Sequence, residues 1–301
     1  MPPRDLLRAI PGTSHLIGDG IHCGEANTFF SCSISEIAHS EYLQNFIANL
    51  DQYLPFFVFS KKTLEEYERK LAAGISTTTP FIHAQQALQI VERGRESDSG
   101  ELGEFLLYLF ATQVLGAFKI VSKIENRDSR RSPIKGIDGT FFIKSGDEVF
   151  MVVGEAKLKP DSNDGLREAQ QDLNSFYSDS TRTTHELELA SRQIINEVND
   201  DTWPIFEKKF IQEDLDDSSF MNVIFVGYNF ENFTKLVKSE ISQPDFLKTI
   251  SEDLTRCFTN QLALINQGSK RSAFCFLPLE DIEKARSTFL QHHNLLSEPN
   301  A

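Results

Sequence analysis

The chain has 301 residues, 40% hydrophobic and 25% charged, with a formal net charge of −14 at pH 7. That is the composition of an ordinary globular protein, long enough for one large domain or two modest ones. It excludes a protein that merely coats DNA, because phosphate contacts call for Lys and Arg, and no apolar run approaches the roughly 20 residues of a membrane span.

The first elements belong to an N-terminal α+β region, residues 1–90, without recognisable catalytic chemistry. Leu54 to Ser60 reads as a strand. Lys62 to Leu71 reads as an amphipathic helix stopped by Gly74, and Ile82 to Arg93 as another helix. The region is either a partner-docking module or a decoration on one domain. After the polar stretch from Glu92 to Gly100, a strongly apolar helix is expected over Glu101 to Leu115. Asp98 and Glu101 have the spacing of a capping box at its start. Glu104 lies one turn further in, on a helix apolar on nearly every side, so it points either to solvent or into a polar site.

Phe118 to Ile124 alternates like a strand. A loop carrying Arg127, Arg130, Arg131 and Lys135 leads to a strand over Ile137 to Lys144. The turn Ser145-Gly146-Asp147 feeds a buried strand over Glu148 to Lys157. After a loop from Asp161 to Gly165 comes a helix over Leu166 to Tyr177. A strand over Phe220 to Tyr228, a helix over Phe246 to Asn266, a strand over Ser272 to Leu277 and a helix over Glu280 to His292 complete the chain. The series implies an α/β fold with a central mixed β-sheet flanked by helices.

Charge is unevenly spread. From Leu115 to Lys159 there are nine basic against six acidic residues, whereas Glu186 to Asp217 holds ten acidic against three basic. The acidic segment is either a docking surface for a basic partner or a solvated loop. Cys23, Cys32, Cys257 and Cys275 form no CxxC pair and are expected as reduced thiols, with Cys275 buried in an apolar run. The seven histidines show no metal-ligand spacing, and His292-His293 reads as a solvated helix end. The N-terminal Met1-Pro2-Pro3-Arg4-Asp5 lacks a signal-peptide core, so a cytoplasmic location is expected by elimination.

The chemistry-bearing feature is Gly136-Ile137-Asp138-Gly139, followed after an apolar run by Gly154-Glu155-Ala156-Lys157. Residues two apart on a strand face the same side, so Glu155 and Lys157 project together while Ala156 packs behind. A hairpin would set Asp138 beside them. Asp138 and Glu155 could hold Mg²⁺ or Mn²⁺ through oxygen, and Lys157 could orient or deprotonate a water. Glu104, reaching in from the preceding helix, could complete the metal shell. The bland reading is that Asp-Gly makes a turn and Glu-x-Lys a solvated pair. The buried strand, the hairpin and the preceding helix favour phosphodiester hydrolysis with a bound metal.

Lys135-Gly136-Ile137-Asp138-Gly139 and Gly154-Glu155-Ala156-Lys157 resemble the signature of the PD-(D/E)xK nuclease superfamily. With the run from Gly103 to Leu109 and the strand from Phe118, the order also resembles the HamA-type subunit of the Hachiman anti-phage system, from about Gly100 to Tyr177. The resemblance implies a PD-(D/E)xK core within residues 91–301 and Mg²⁺-dependent DNA cleavage. It also implies a superfamily-2 helicase partner, with Asp138, Glu155, Lys157 and Glu104 at the site. Many superfamily members carry a Gln on the next helix with a Tyr one turn later. Here Gln170 and Gln171 are followed at that spacing by Asn174 and Ser175, and Gln170 is the favoured counterpart. Two rivals stand beside this expectation: a catalytically inactive nuclease-fold subunit that regulates or scaffolds the helicase, and a nuclease acting on RNA.

Overall fold

The computed structural model describes residues 15–16, 21–23, 27–33, 43–92, 100–120, 124, 137–145, 148–194, 203–208, 219–242, 271–293 and 295, with eight positions between 244 and 256. Its frame is an eight-stranded sheet. The strands are β1 (His15–Leu16), β2 (Ile21–Cys23), β3 (Asn27–Ser33), β4 (Phe118–Lys119), β5 (Gly139–Ser145), β6 (Glu148–Lys159), β7 (Phe220–Asn229) and β8 (Arg271–Leu279). They lie in the order β1-β3-β8-β7-β6-β5-β4, with β2 also paired to β3. β3, β8, β7 and β6 run parallel, while β5 and β4 complete one side as antiparallel strands. The sheet is therefore mixed, as the sequence implied.

The parallel strands β7 and β8 read as near-continuous apolar runs, the pattern of strands inside a sheet covered on both faces. Val223, Ile224, Phe225 and Val226 in β7, and Phe274, Cys275 and Phe276 in β8, are all buried. The hairpin forms in the expected register, with Ser145 opposite Glu148 and Gly139 opposite Gly154; its turn residues 146–147 fall outside the described residues.

The helices are α1 (Leu43–Leu50), α2 (Leu54–Val58), α3 (Lys61–Ala72), α4 (Pro80–Glu92), α5 (Glu101–Leu109), α6 (Ser162–Ser178), α7 (Ser180–Gln193), α8 (Trp203–Glu207), α9 (Asn232–Val237) and α10 (Ile282–His292). α5 and α6 cover opposite faces of β6. On one face, a Cβ added at Gly103 of α5 would sit 3.5 Å from the Ala156 Cβ. On the other, a Cβ at Gly165 of α6 would lie 3.6 Å from the Cβ atoms of Lys157 and Lys159. The small residues Gly154 and Ala156 thus allow a close approach: Leu107 of α5 reaches within 3.0 Å of where a Gly154 Cβ would stand.

Four expectations need correction. Leu54 to Ser60 is not a strand: Leu54–Val58 is helical, with Pro55 in its first turn. Proline's fixed φ suits that position, and a short apolar run has no periodicity that separates strand from helix. The carbonyls at the end of this helix are gathered by Lys119. Its buried ammonium donates to Phe56 O at 2.5 Å, Phe57 O at 3.3 Å and Phe59 O at 2.6 Å. Among the described residues, the strand from Phe118 pairs with β5 over Phe118–Lys119, the Ile120 N–H donates to Thr140 O at 3.0 Å, and Ile124 lies in a turn; residues 121–123 lie outside the described residues.

The helix from Glu101 stops being α-helical at Leu109 and continues as a π turn over Phe110–Val114. Gly100 is its N-cap, without a side-chain cap, and Asp98 of the expected capping box lies outside the described residues. The fourth correction concerns His293, which is 0% exposed and not part of a solvated end. Burial, with His292 adjoining, pushes its pKa down to about 4.

β3, from the predicted N-terminal region, pairs directly with β8. The helix expected over Phe246 to Asn266 and the basic loop from Arg127 to Lys135 lie mostly or wholly outside the described residues. No helix among the described residues is long and apolar enough to cross a membrane.

Candidate active site

Strand pairing brings three of the predicted residues together. Asp138 is the bend residue immediately before β5, and its side chain takes over where main-chain pairing stops. The Ala156 N–H donates to Asp138 Oδ2 at 2.9 Å. One bond thereby fixes the acid against the strand that carries Glu155 and Lys157. Asp138, Thr140, Val153 and Glu155 alternate onto the same sheet face, the face covered by α6.

Glu155 is 4% exposed. Lys157 Nζ lies 2.7 Å from Glu155 Oε1 and 2.6 Å from Asp172 Oδ2, so one ammonium bridges a carboxylate of β6 and one of α6. Burial and then the Asp138 carboxylate push the Glu155 carboxyl up to about 8, although Lys157 acts in the opposite direction. For Lys157, burial pulls downward but is outweighed by Glu155, Asp172 and Asp138, and its pKa rises above the ordinary value. Lys157 is therefore an ammonium at neutral pH. Of the two roles the sequence left open, it can orient and neutralise but does not rest as a base.

Three carboxyl groups around a single ammonium leave the pocket short of positive charge, and Glu155 keeps its proton up to about pH 8. That is the electrostatic condition for a divalent cation, and an all-oxygen donor pair suits a hard one such as Mg²⁺ or Mn²⁺.

Asp172 escaped the sequence reading, yet its spacing carried the signal. It stands three residues after buried Ala169 and four before buried Phe176, an acid on the edge of an apolar helical stripe. α6 also starts earlier than expected, at Ser162, because Asp161 caps it by accepting from the N–H groups of Asn163 at 2.8 Å and Asp164 at 3.0 Å. Gln170 is half-buried on α6, two residues from Asp172. That offset is about 200° around a helix, so it stands on the flank away from Lys157.

Glu104 is half-buried in the first turn of α5, next to the Gly103 that packs on Ala156. It approaches β6 from the face opposite Glu155. Among the described residues, Glu104, Asp138 and Glu155 do not form a group with ligand atoms all within 4.8 Å of one another. Beside the site, Glu186 of α7 is 1% exposed and accepts from Thr140 Oγ1 at 3.2 Å, which seats α7 against β5.

No curated protein matches the chain. The model of the HamA family does, over residues 17–292, a stretch that includes the hairpin, both helices around it and the N-terminal strands. The chain belongs to the HamA family, a component of the Hachiman anti-phage defence system.

Proposed function

We propose that this chain is a metal-dependent DNA nuclease, the effector subunit of a Hachiman defence complex that works with a superfamily-2 helicase. The observation that carries the reading is Glu155: a buried carboxyl beside a second acid, Asp138, with Lys157 two residues on and pointing into the same pocket. The order α5, β4, β5, β6, α6, β7 supports reading the centre of the fold as the αβββαβ core of the PD-(D/E)xK superfamily.

Asp138 and Glu155 would hold Mg²⁺ or Mn²⁺; Glu104, on the opposite face of β6, would join the shell only after a side-chain shift or through a bound water. The bound ion would stabilise charge on the scissile phosphate and make a bound water more acidic. Lys157 places a fixed positive charge where the phosphoryl oxygens gain negative charge, and Asp172 sets its direction. Gln170 is the weakest member of the predicted set, since its helix flank faces away from Lys157.

Cleavage assays on the chain together with its helicase test the reading. Asp138→Ala and Lys157→Ala should each lower metal-dependent DNA cleavage by about a hundredfold or more, with the protein still folded at the assay temperature. An RNA substrate should be cut far more slowly than DNA. Unimpaired cleavage and phage protection in both variants would instead identify an inactive nuclease fold that regulates the helicase.

A further inference from the structure

The end of α10 meets the turn Asp51–Tyr53, which follows α1, in a cluster that no part of the nuclease reading uses. His292 Nε2 lies 2.9 Å from Asp51 Oδ2, and His293 Nε2 lies 3.7 Å from Asp51 Oδ1. Ligand atoms from Asp51, His292 and His293 all lie within 4.8 Å of one another. His293 is fully buried, and neither of its ring nitrogens has a hydrogen-bond partner among the described residues. Asp51 Oδ1 is buried without one as well. Buried polar atoms ordinarily find partners. Here an imidazole nitrogen and a carboxylate oxygen lacking any face each other at the same point.

We propose that Asp51, His292 and His293 form a second metal site, selective for a borderline divalent transition metal of the Zn²⁺ type. The donor set, two imidazoles and one carboxylate, is that of a Zn²⁺ site with three protein ligands and one open position. A tetrahedral ion with bonds near 2.1 Å needs ligand atoms about 3.4 Å apart. The 2.9 Å and 3.7 Å separations run to the two oxygens of Asp51, and one ligand atom from each residue lies within 4.8 Å of the others, so side-chain adjustment, the Asp51 carboxylate's above all, would seat the ion.

The surroundings hold the ligands in place. The His293 ring stands edge-on against Phe289, with centroids 4.7 Å apart, and Gln89 Nε2 of α4 donates to the His293 carbonyl at 3.2 Å. Access is open on the other side. The Asp51 and His292 side chains keep 25% and 29% exposure, and Asp51 lines a groove of about 370 Å³ with Pro55, Glu68 and Phe81.

The ligands lie 241 residues apart in sequence, so the ion would clip the N-terminal helices to the last helix of the fold. The pair of adjacent histidines, which reads as a solvated end in the sequence, is completed only by Asp51 from the other end of the chain. This site is independent of Asp138 and Glu155, and its hard-cation counterpart there would not share its preference.

The test is titration of the metal-stripped full-length chain with Co²⁺ and with Zn²⁺ alone. Wild type and Asp138→Asn should each bind one Co²⁺ with the intense visible absorption of a tetrahedral centre, and Zn²⁺ should displace it. Zn²⁺ should also raise the unfolding temperature of both. Asp51→Asn and His292→Ala change partly exposed side chains and spare the buried His293. Each should weaken binding by about a hundredfold and remove the absorption and the thermal shift. The proposal fails if the wild type shows no tetrahedral Co²⁺ band, or if either ligand variant binds as tightly as wild type.

Discussion

Glu155 is the residue on which the electrostatics turn. Its carboxyl is held up to about 8 by burial and by Asp138, against an ordinary value of 4.5. Below pH 4.5 it is protonated in both the folded and the unfolded chain. Between that value and about 8 only the unfolded chain releases the proton, so the metal-free fold loses stability as pH rises through this window. Thermal unfolding without metal should show a Tm that falls across the window, and Glu155→Gln should flatten the fall. A metal ion must displace the same proton, so Mg²⁺ or Mn²⁺ affinity should rise by about tenfold per pH unit and level off near pH 8. Isothermal titration at several pH values would measure this, and a pH-independent affinity would mean that Glu155 is not a ligand. Lys157 stays charged throughout, because Glu155, Asp172 and Asp138 outweigh the effect of its burial.

At the scale of elements, the site depends on how closely α6 lies on β6 and β7. A Cβ at Gly165 would come within 2.8 Å of Val226 Cγ1, a contact that real side chains do not make. Gly165→Ala should lift the start of α6, cost about 1–3 kcal/mol of stability and pull Asp172 from Lys157, reducing activity more than the stability loss explains. Denaturant unfolding and cleavage rates on the same sample would separate the two effects. The long patterned elements were legible in the sequence: β5, β6, β7, β8, α3, α6 and α10 all appear close to their expected bounds. The hairpin placing Asp138 beside Glu155 was legible too, since turn spacing sets its register. Contacts between distant segments were not. Asp172 reaches Lys157, and Lys119 gathers the carbonyls after α2, through packing that no local spacing encodes. Leu54–Val58 was misread for a related reason: five apolar-rich residues fit either period, and tertiary context decided.

Over the whole molecule, charge and site pull in different directions. The chain carries −14, yet the sequence segment from Leu115 to Lys159, which contains Asp138, Glu155 and Lys157, holds nine basic residues against six acidic. An acidic chain with one locally basic segment should bind DNA weakly by itself and, in the proposed complex, depend on a partner for delivery. DNA binding by the isolated chain should be weak and should fall steeply with salt, whereas tight, salt-resistant binding would argue against a helicase that supplies the substrate. The central claim, that Asp138, Glu155 and Lys157 form a metal-dependent DNA-cleaving site, is tested most directly with Asp138→Asn. That change keeps an oxygen to accept from the Ala156 N–H and removes only the charge. DNA cleavage by the chain with the proposed helicase partner should require Mg²⁺, stop on chelation and be nearly abolished in Asp138→Asn, with Tm close to wild type. Equal cleavage by wild type and Asp138→Asn, or cleavage that survives chelation, would contradict it.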